Sequence, residues 1–139
     1  MRSALLALLL AGCGGGGTVE ATVSAHGREG QTVGWSACSG ASCEVWIDGG
    51  LEGEIAVRAA AHELGHVMGV PHMGGCVMSP WLFRSPYDGF CPSEVEAARL
   101  SRFPILLRDG GGDLAAFSEA ARLWGEALGR RQFVLGWVP

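Results

Sequence analysis

The feature that most constrains the fold is a cluster of histidines, because three of the chain's four lie within residues 62–72. Residues 54–68 contain strong helix formers and no proline, and their apolar residues recur at three- and four-residue steps. A helix over 54–68 projects His62 and His66, four residues apart, from one face. Gly69 suits the left-handed end of that helix, after which the chain can double back to bring in His72.

This cluster has the composition of a catalytic metal site. Three neutral imidazoles leave one open position on a tetrahedral zinc ion, whereas structural zinc sites are closed. Zinc lowers the pKa of bound water, and Glu63 can accept the water's proton and later pass it to a leaving amine. We therefore expect one Zn²⁺ ion bound by His62, His66 and His72, with Glu63 as the catalytic base.

The same run resembles a known family signature. It reads His62-Glu63-Leu64-Gly65-His66-Val67-Met68-Gly69-Val70-Pro71-His72 and matches H-E-x-x-H-x-x-G-x-x-H at every specified position. The chain thus resembles the metzincin clan of zinc metallopeptidases. The resemblance implies an α+β zincin domain with a short mixed sheet and an active-site helix. It also implies hydrolysis of peptide bonds through zinc-bound water, and a methionine turn beneath the metal, for which Met78 is the candidate.

Within the clan, the chain is most similar to matrixins. No tyrosine lies two residues after Met78, so the fifth metal ligand of astacins and serralysins is absent. The run from Met78 resembles the matrixin segment that forms a wall of the S1′ pocket, which assigns substrate binding to Pro80, Trp81 and Leu82. Archaemetzincins bind a second zinc through cysteines, but residue 73 is methionine here, so only one zinc is expected.

The strand that precedes the active-site helix has a role by the same resemblance. Residues 44–48 form the clearest strand, with Val45 and Ile47 on one face and Trp46 on the other. In metzincins this strand is an exposed edge that pairs with an extended peptide, a β-augmentation mode, so Val45, Trp46 and Ile47 are candidate substrate-binding residues. A paired interior strand is the open alternative.

The N-terminus has the pattern of an export signal. Residues 1–12 combine an early arginine with a short apolar run, and Leu10-Ala11-Gly12-Cys13 resembles the lipobox of bacterial lipoproteins. The resemblance implies cleavage before Cys13, lipidation of its thiol, and a glycine tether over 13–17. It predicts an exported protein anchored in the outer membrane, facing the periplasm or the cell surface. An ordinary secretory signal is the alternative.

The remaining cysteines form an even set. Cys38, Cys43, Cys76 and Cys91 allow three pairings, among which spacing alone does not choose. We predict the pairs Cys38–Cys43 and Cys76–Cys91, because the first would pin the turn before residues 44–48 and the second would tie the methionine turn to the next helix. The alternative is that one cysteine is a latent zinc ligand.

The C-terminal third contains further elements. Ser93 and Glu96 predict a capped helix through about Arg102, residues 109–112 a glycine linker, residues 113–128 an amphipathic helix, and residues 132–138 a strand. Metzincins normally begin with a strand and an amphipathic helix. We therefore predict a circularly permuted metzincin in which helix 113–128 packs on the active-site helix and strand 132–138 joins the sheet of strand 44–48. A C-terminal appendage is the alternative.

Composition limits the functional classes. A formal net charge of −4 over 139 residues argues against a nucleic-acid partner. We expect one catalytic domain over residues 18–139, a monomer, and a peptide or protein substrate. A lipid-anchored, catalytically weak zinc protein that binds peptides or proteins remains open because the domain is small, and a metal-stabilised structural lipoprotein is a third class. The intact Glu63 favours the enzyme.

Overall fold

The computed structural model describes residues 18–27, 32–80 and 89–138, and within them the chain has an α+β fold with one five-stranded mixed sheet and three helices. In chain order the elements are β1 (Val19–His26), β2 (Gly34–Ser39), β3 (Ser42–Asp48), α1 (Gly53–Val67), α2 (Pro92–Ala98), β4 (Ile105–Asp109), α3 (Leu114–Leu128) and β5 (Phe133–Leu135). The expected α+β class and short mixed sheet are confirmed. None of the helices in these ranges is long and apolar enough to span a bilayer. The predicted signal 1–12, Cys13 and the tether 13–17 lie outside the described residues.

The sheet is organised around its first strand. The strand order is β2-β3-β1-β4-β5, and β1 pairs in parallel with both β3 and β4. β5 continues the parallel set beyond β4, with Val19, Ile105 and Phe133 in one row across the three strands. Only β2 runs antiparallel, as the outer partner of β3. The parallel strands therefore all begin at one end of the sheet.

The expectation that residues 44–48 form the exposed edge is wrong. β3 lies between β2 and β1 and is paired on both sides, so the alternative of an interior strand is confirmed. Val45 and Ile47 are buried because they face the core, while Trp46 is half-buried on the other face, against the His26 ring. The edge strand beside the helix is β2, and backbone pairing with a peptide is not open to Val45, Trp46 and Ile47.

The core lies between one face of the sheet and the helices α1 and α3. Alternate residues of β1, β3 and β4 face this layer, as the two-residue period of a half-covered sheet requires. The two helices pack against each other, and Trp124 of α3 donates a hydrogen bond from Nε1 to the Ala61 carbonyl of α1 at 2.8 Å. Phe117, Trp124 and Leu128 are all buried, so the predicted packing face of α3 is confirmed.

Helix ends follow the predicted chemistry at α1 and α3 but not at α2. Gly69 has a φ of 86° directly after the Met68 C-cap, and Asp113 caps α3 by accepting from the Ala116 amide. The capped start predicted at Ser93 is wrong. α2 begins two residues earlier, with Cys91 as N-cap and the Glu94 carboxylate accepting from the Cys91 amide at 2.9 Å, and it ends at Ala98.

The glycine run after β4 is a packed turn, which corrects the predicted linker over 109–112. The Gly110 amide donates to the Val23 carbonyl and the Ala25 amide donates to the Gly111 carbonyl, both at 2.8 Å. The glycine run therefore continues the backbone pairing between β4 and β1. A Cβ on Gly112 would lie 2.6 Å from the Ala25 nitrogen, so a larger residue does not fit. The strand just before this turn, β4, was not predicted.

The C-terminal elements nonetheless join the sheet as predicted. β5 pairs with β4 in the same sheet as β3, although it covers only Phe133–Leu135 of the predicted strand 132–138. The appendage alternative is therefore wrong. Both predicted disulfides, Cys38–Cys43 and Cys76–Cys91, are confirmed.

Trp124 provides a test of the contact between the two long helices. Trp124→Phe keeps an aromatic ring but leaves the Ala61 carbonyl without this donor, and we expect it to lower the free energy of unfolding by about 1–3 kcal/mol. Trp124→Ala also opens a cavity and should cost about 3–5 kcal/mol. Denaturant unfolding measures both.

Trp137 is the matched control, because its Nε1 bonds the Ser118 hydroxyl from a half-buried position. Trp137→Phe should cost less than about 1 kcal/mol. Equal losses at the two positions would contradict the role of Trp124 as the joint between α1 and α3.

Candidate metal centre

The three histidines of the sequence cluster converge at the C-terminal half of α1. The nearest ligand nitrogens of His62, His66 and His72 all lie within 4.8 Å of one another, and the ring centroids are 4.8–5.1 Å apart. His62 and His66 share a helix face, while His72 returns from the loop after Gly69. His62 is buried, His66 half-buried and His72 exposed, so the cluster opens to solvent on one side.

Two backbone carbonyls fix the orientation of the helical imidazoles. His62 Nδ1 donates to the Val77 carbonyl at 2.8 Å, and His66 Nδ1 donates to the Val70 carbonyl at 2.9 Å. Because a carbonyl can only accept, each Nδ1 carries the proton and each Nε2 keeps its lone pair. This is the outer-sphere support found around histidine ligands of metals.

The carbonyl that orients His62 is itself held by a buried acid. The peptide group between Val77 and Met78 presents its C=O to His62 and its N–H to the Glu94 carboxylate, which accepts at 2.8 Å. Glu94 has no exposed surface, and its second oxygen accepts from the Cys91 amide. A charged acceptor on the N–H polarises the peptide group, which strengthens the hydrogen bond that its carbonyl accepts. Glu94 thus acts on His62 through one peptide group.

Met78, the candidate for the methionine turn, lies in a turn of the loop after α1. Its side chain is buried against Gly65 in α1, so closely that a Cβ on Gly65 would overlap the Met78 sulfur. The turn is also tied back by the Met73 amide, which donates to the Met78 carbonyl at 3.0 Å. Gly65 is therefore required for packing at its position between His62 and His66 on the helix.

The candidate base lies between the helix and the edge strand. Glu63 is 7 % exposed, and its carboxylate accepts a hydrogen bond from the Ser36 side chain of β2. A Cβ on Gly34 would lie 2.9 Å from Glu63 Oε2, so a glycine is what lets β2 approach this close. Gly34 and Ser36 are alternate residues on one face of β2, and together they confine the carboxylate.

A cleft of about 480 Å³ joins these parts. Its lining residues come from β2, α1 and the loop after α1: Gly34, Trp35, Ser36, Ala37, Cys38, Glu63, His66 and His72. Trp35 is 44 % exposed at its rim, and the Cys38–Cys43 disulfide fixes its far end to β3. The cleft is therefore walled by an edge strand on one side and by two of the clustered histidines on the other.

Burial determines the protonation of the site. It lowers the pKa of His62 to about 4 and also lowers that of His66, against the opposing effect of the bonds to Val77 and Val70. These imidazoles are neutral at pH 7, which is the form that binds a metal. Burial raises the pKa of Glu63 to about 7, while the hydrogen bond from Ser36 acts in the opposite direction. A carboxylate with that pKa is suited to proton transfer near neutral pH.

The other predicted site residues are more scattered. Pro80 is exposed and does not line the cleft, and Trp81 and Leu82 lie outside the described residues. Their part in an S1′ wall stays a prediction. Cys76, Cys91 and Glu94 also come close enough for a metal, but the cysteines are joined in a disulfide and Glu94 accepts from two amides. The latent-ligand alternative therefore has no support at Cys76 or Cys91.

Three residues of the site were not predicted to be functional. Gly34 and Ser36 occur in a short segment without chemistry-bearing neighbours, and no local signal connects them to Glu63. Glu94 carried a weak signal, since a glutamate at the third helical position is typical of a capping box. That pattern explains its bond to Cys91 but not the bond to Met78, sixteen residues away in the chain.

Comparison with known proteins adds no family: no protein-family model, curated protein or solved structure matches the chain.

Glu94 can be tested through metal affinity. Glu94→Gln removes the negative charge and leaves only one good acceptor for the Met78 and Cys91 amides. We expect a loss of about tenfold or more in affinity for added Zn²⁺, measured by chelator competition, because His62 is then held less firmly. Glu96→Gln, on the exposed side of the same helix, should bind Zn²⁺ as the wild type does. A folded Glu94→Gln protein with unchanged affinity would contradict this role.

The Gly65–Met78 contact predicts a compensating pair. Gly65→Ala alone forces the methionine turn away from α1, and we expect it to lower the free energy of unfolding by about 1–3 kcal/mol and to weaken Zn²⁺ binding. In the double variant Gly65→Ala/Met78→Ala the overlap disappears, so Gly65→Ala should cost less in that background. Additive losses in the double-mutant cycle would show that the two side chains are not coupled.

Proposed function

We propose that the protein is a zinc-dependent peptidase whose centre is formed by His62, His66 and His72, with Glu63 as general base. The observation that carries the proposal is the shared cleft. Two of the three histidines and the buried carboxylate line the same opening, beside an edge strand with a free side in the described sheet. A purely structural metal site has no need of such an opening or of an adjacent base.

The donor set fits zinc. Three imidazoles, two of them with Nε2 left free by a backbone hydrogen bond, form the neutral nitrogen set that zinc accepts, and no carboxylate or thiolate of the described residues competes at that point. A zinc ion held there would supply Lewis acidity, which polarises a peptide carbonyl and lowers the pKa of water. Every other task in the reaction belongs to the chain's own side chains and backbone.

Glu63 carries the proton transfer. Its carboxylate takes a proton from the attacking water and returns it to the nitrogen of the leaving amine, so one oxygen serves as base and then as acid. Ser36 and Gly34 limit the positions that this carboxylate can occupy. A base confined to one position loses less conformational freedom when the substrate arrives.

β2 takes over the substrate role that was first assigned to residues 44–48. No described strand pairs with its outer edge next to Glu63, and an extended peptide that pairs there would be led along the cleft towards the histidines. Trp35 at the rim offers an apolar contact for a substrate side chain. The open edge of β2 is the reason for proposing a peptide or protein as the substrate.

The order of elements supports a circularly permuted metzincin. The strand and amphipathic helix that open a metzincin correspond to β4 and α3, which follow α1 and α2 in this chain yet lie in the same sheet and against the same helix. The chain returns to that position through residues 99–104, because the glycine run 110–112 is the turn between β4 and α3. Permutation of this kind is tolerated where the original termini are close together.

The test is zinc content together with cleavage of a mixed peptide library. Glu63→Gln should keep one zinc per chain and lose cleavage by about 10²–10⁴-fold, since it removes only the base. Glu44→Gln, an exposed glutamate on β3, is the control and should match the wild type. His72→Ala should lose the metal.

The outcomes separate the possible functions. Zinc in wild type and Glu63→Gln with cleavage by neither favours a peptide-binding module. A fully loaded His72→Ala protein shows that the third ligand is another residue. Cleavage by Glu63→Gln near the wild-type rate removes Glu63 from its role.

A further inference from the structure

One end of the molecule carries an exposed surface that the proposed peptidase does not use. Between α2 and β4, Leu100 is 89 % and Phe103 is 56 % exposed, and Arg99 and Arg102 stand beside them. Arg130 joins them from the segment before β5, with its guanidinium 4.0 Å from the centre of the Phe103 ring. We call these five residues the α2–β4 patch.

Hydrogen bonds hold the backbone of the patch in place. Arg99 Nη1 donates to the Leu128 carbonyl at 2.9 Å, which satisfies a carbonyl at the end of α3. Below the patch, the fully buried Gln132 donates from Nε2 to the Ser101 hydroxyl and to the Arg102 carbonyl at 2.9 Å. The exposed leucine and phenylalanine are therefore presented by a segment whose backbone is held in place.

The charge of the patch is not neutralised within the described chain. The ion pairs found among the described residues join Arg108 to Glu20 and Arg122 to Glu119 and Glu126. None of them involves an arginine of the patch. Burial and, secondly, repulsion from Arg99 lower the pKa of the Arg130 guanidinium, as expected of neighbouring cations. Three unneutralised arginines are thus gathered on a chain whose net charge is −4.

The location of the patch indicates what it faces. β1, β4 and β5 run parallel, with Val19, Ile105 and Phe133 in register at their starts. The described residues that lead into these three strands therefore meet at one end: 99–104 before β4, 129–132 before β5, and Thr18 before β1. Cys13 is only five residues before Thr18, a reach of at most about 18 Å.

We propose that the α2–β4 patch docks on an anionic membrane surface, with Leu100 and Phe103 at the headgroup level and the arginines at lipid phosphates. Apolar side chains ringed by arginines are what an interfacial membrane site requires, and anionic lipids supply the missing countercharge. A membrane met at this end is also the one that an anchor on Cys13 would reach. The docking itself needs no acyl chain, and it does not depend on the peptidase activity.

The experiment uses the full chain with Cys13→Ser in every sample, so that no protein is acylated and all share the same N-terminal segment. Partition is measured into vesicles of phosphatidylglycerol mixed with phosphatidylcholine, and into pure phosphatidylcholine. We expect binding to the anionic vesicles that weakens with added salt. Arg102→Gln should lower it roughly fivefold and Leu100→Ser roughly tenfold. Both side chains are exposed, so neither change disturbs the core.

The matched controls remove an arginine and an apolar side chain elsewhere. Arg122→Gln lies on the outer face of α3, and Val138→Ser, 55 % exposed, follows the opposite end of β5. Both should bind as the Cys13→Ser parent does. Equal binding by parent and patch variants, equal losses in the controls, no preference for anionic vesicles, or no binding at all would overturn the proposal. Self-association in vesicle-free solution that Leu100→Ser abolishes would assign the patch to a second copy and would overturn it equally.

Discussion

The peptide group between Val77 and Met78 connects the histidines of α1 to the buried glutamate of α2. Its carbonyl accepts from His62, its N–H donates to the buried Glu94, and the side chain that follows packs on Gly65 between two histidines of α1. Glu94 in turn holds Cys91, whose disulfide closes the loop back to Cys76. Helix, turn and second helix are therefore fixed relative to one another at a single buried point.

The opposite wall of the cleft has a different construction. β2 belongs to the sheet only through β3, and the Cys38–Cys43 disulfide joins two residues that are directly paired across those strands. One face of β2 contacts Glu63 through Gly34 and Ser36, while its outer edge has no neighbouring strand in the described sheet. The histidine side of the cleft thus faces a strand whose outer edge has no neighbour in the described sheet, which is the arrangement that the proposed pairing with a peptide needs.

Much of this arrangement could be predicted from the sequence where local chemistry and tertiary packing agree. The helix over 54–68 and the one over 113–128 have a strong apolar period, and Gly69 and Asp113 mark their ends, so both were found within a residue or two. The cysteine pairs were chosen for the neighbouring elements that each bond would tie together, since spacing alone left three pairings open. In each case the decisive information lies within about fifteen residues.

The errors in the sheet share a cause, which is that the position of a strand depends on contacts outside that strand. β2 reads Gly-Trp-Ser-Ala-Cys-Ser, an exposed edge with little apolar pattern, whereas β3 was assigned to the edge by the metzincin resemblance. β4 was hidden because the glycines after it are typical of a linker, yet Gly110 and Gly112 are there so that the turn can pack against β1. Which strand lies at an edge depends on the whole sheet order, and one strand's sequence does not contain it.

The central position of β1 has a consequence for the order in which the molecule can form. β1 is the first of the described strands to leave the ribosome, but one of its two parallel neighbours is β4, which follows both α1 and α2 in the chain. Contacts of such long sequence separation slow folding, because the loop between the partners has to close before pairing stabilises it. The pairing of β1 with β4 therefore forms only after the chain has been made as far as β4. If residues 1–12 direct export as predicted, the late pairing of β1 with β4 would leave the sheet incomplete while the chain is transported.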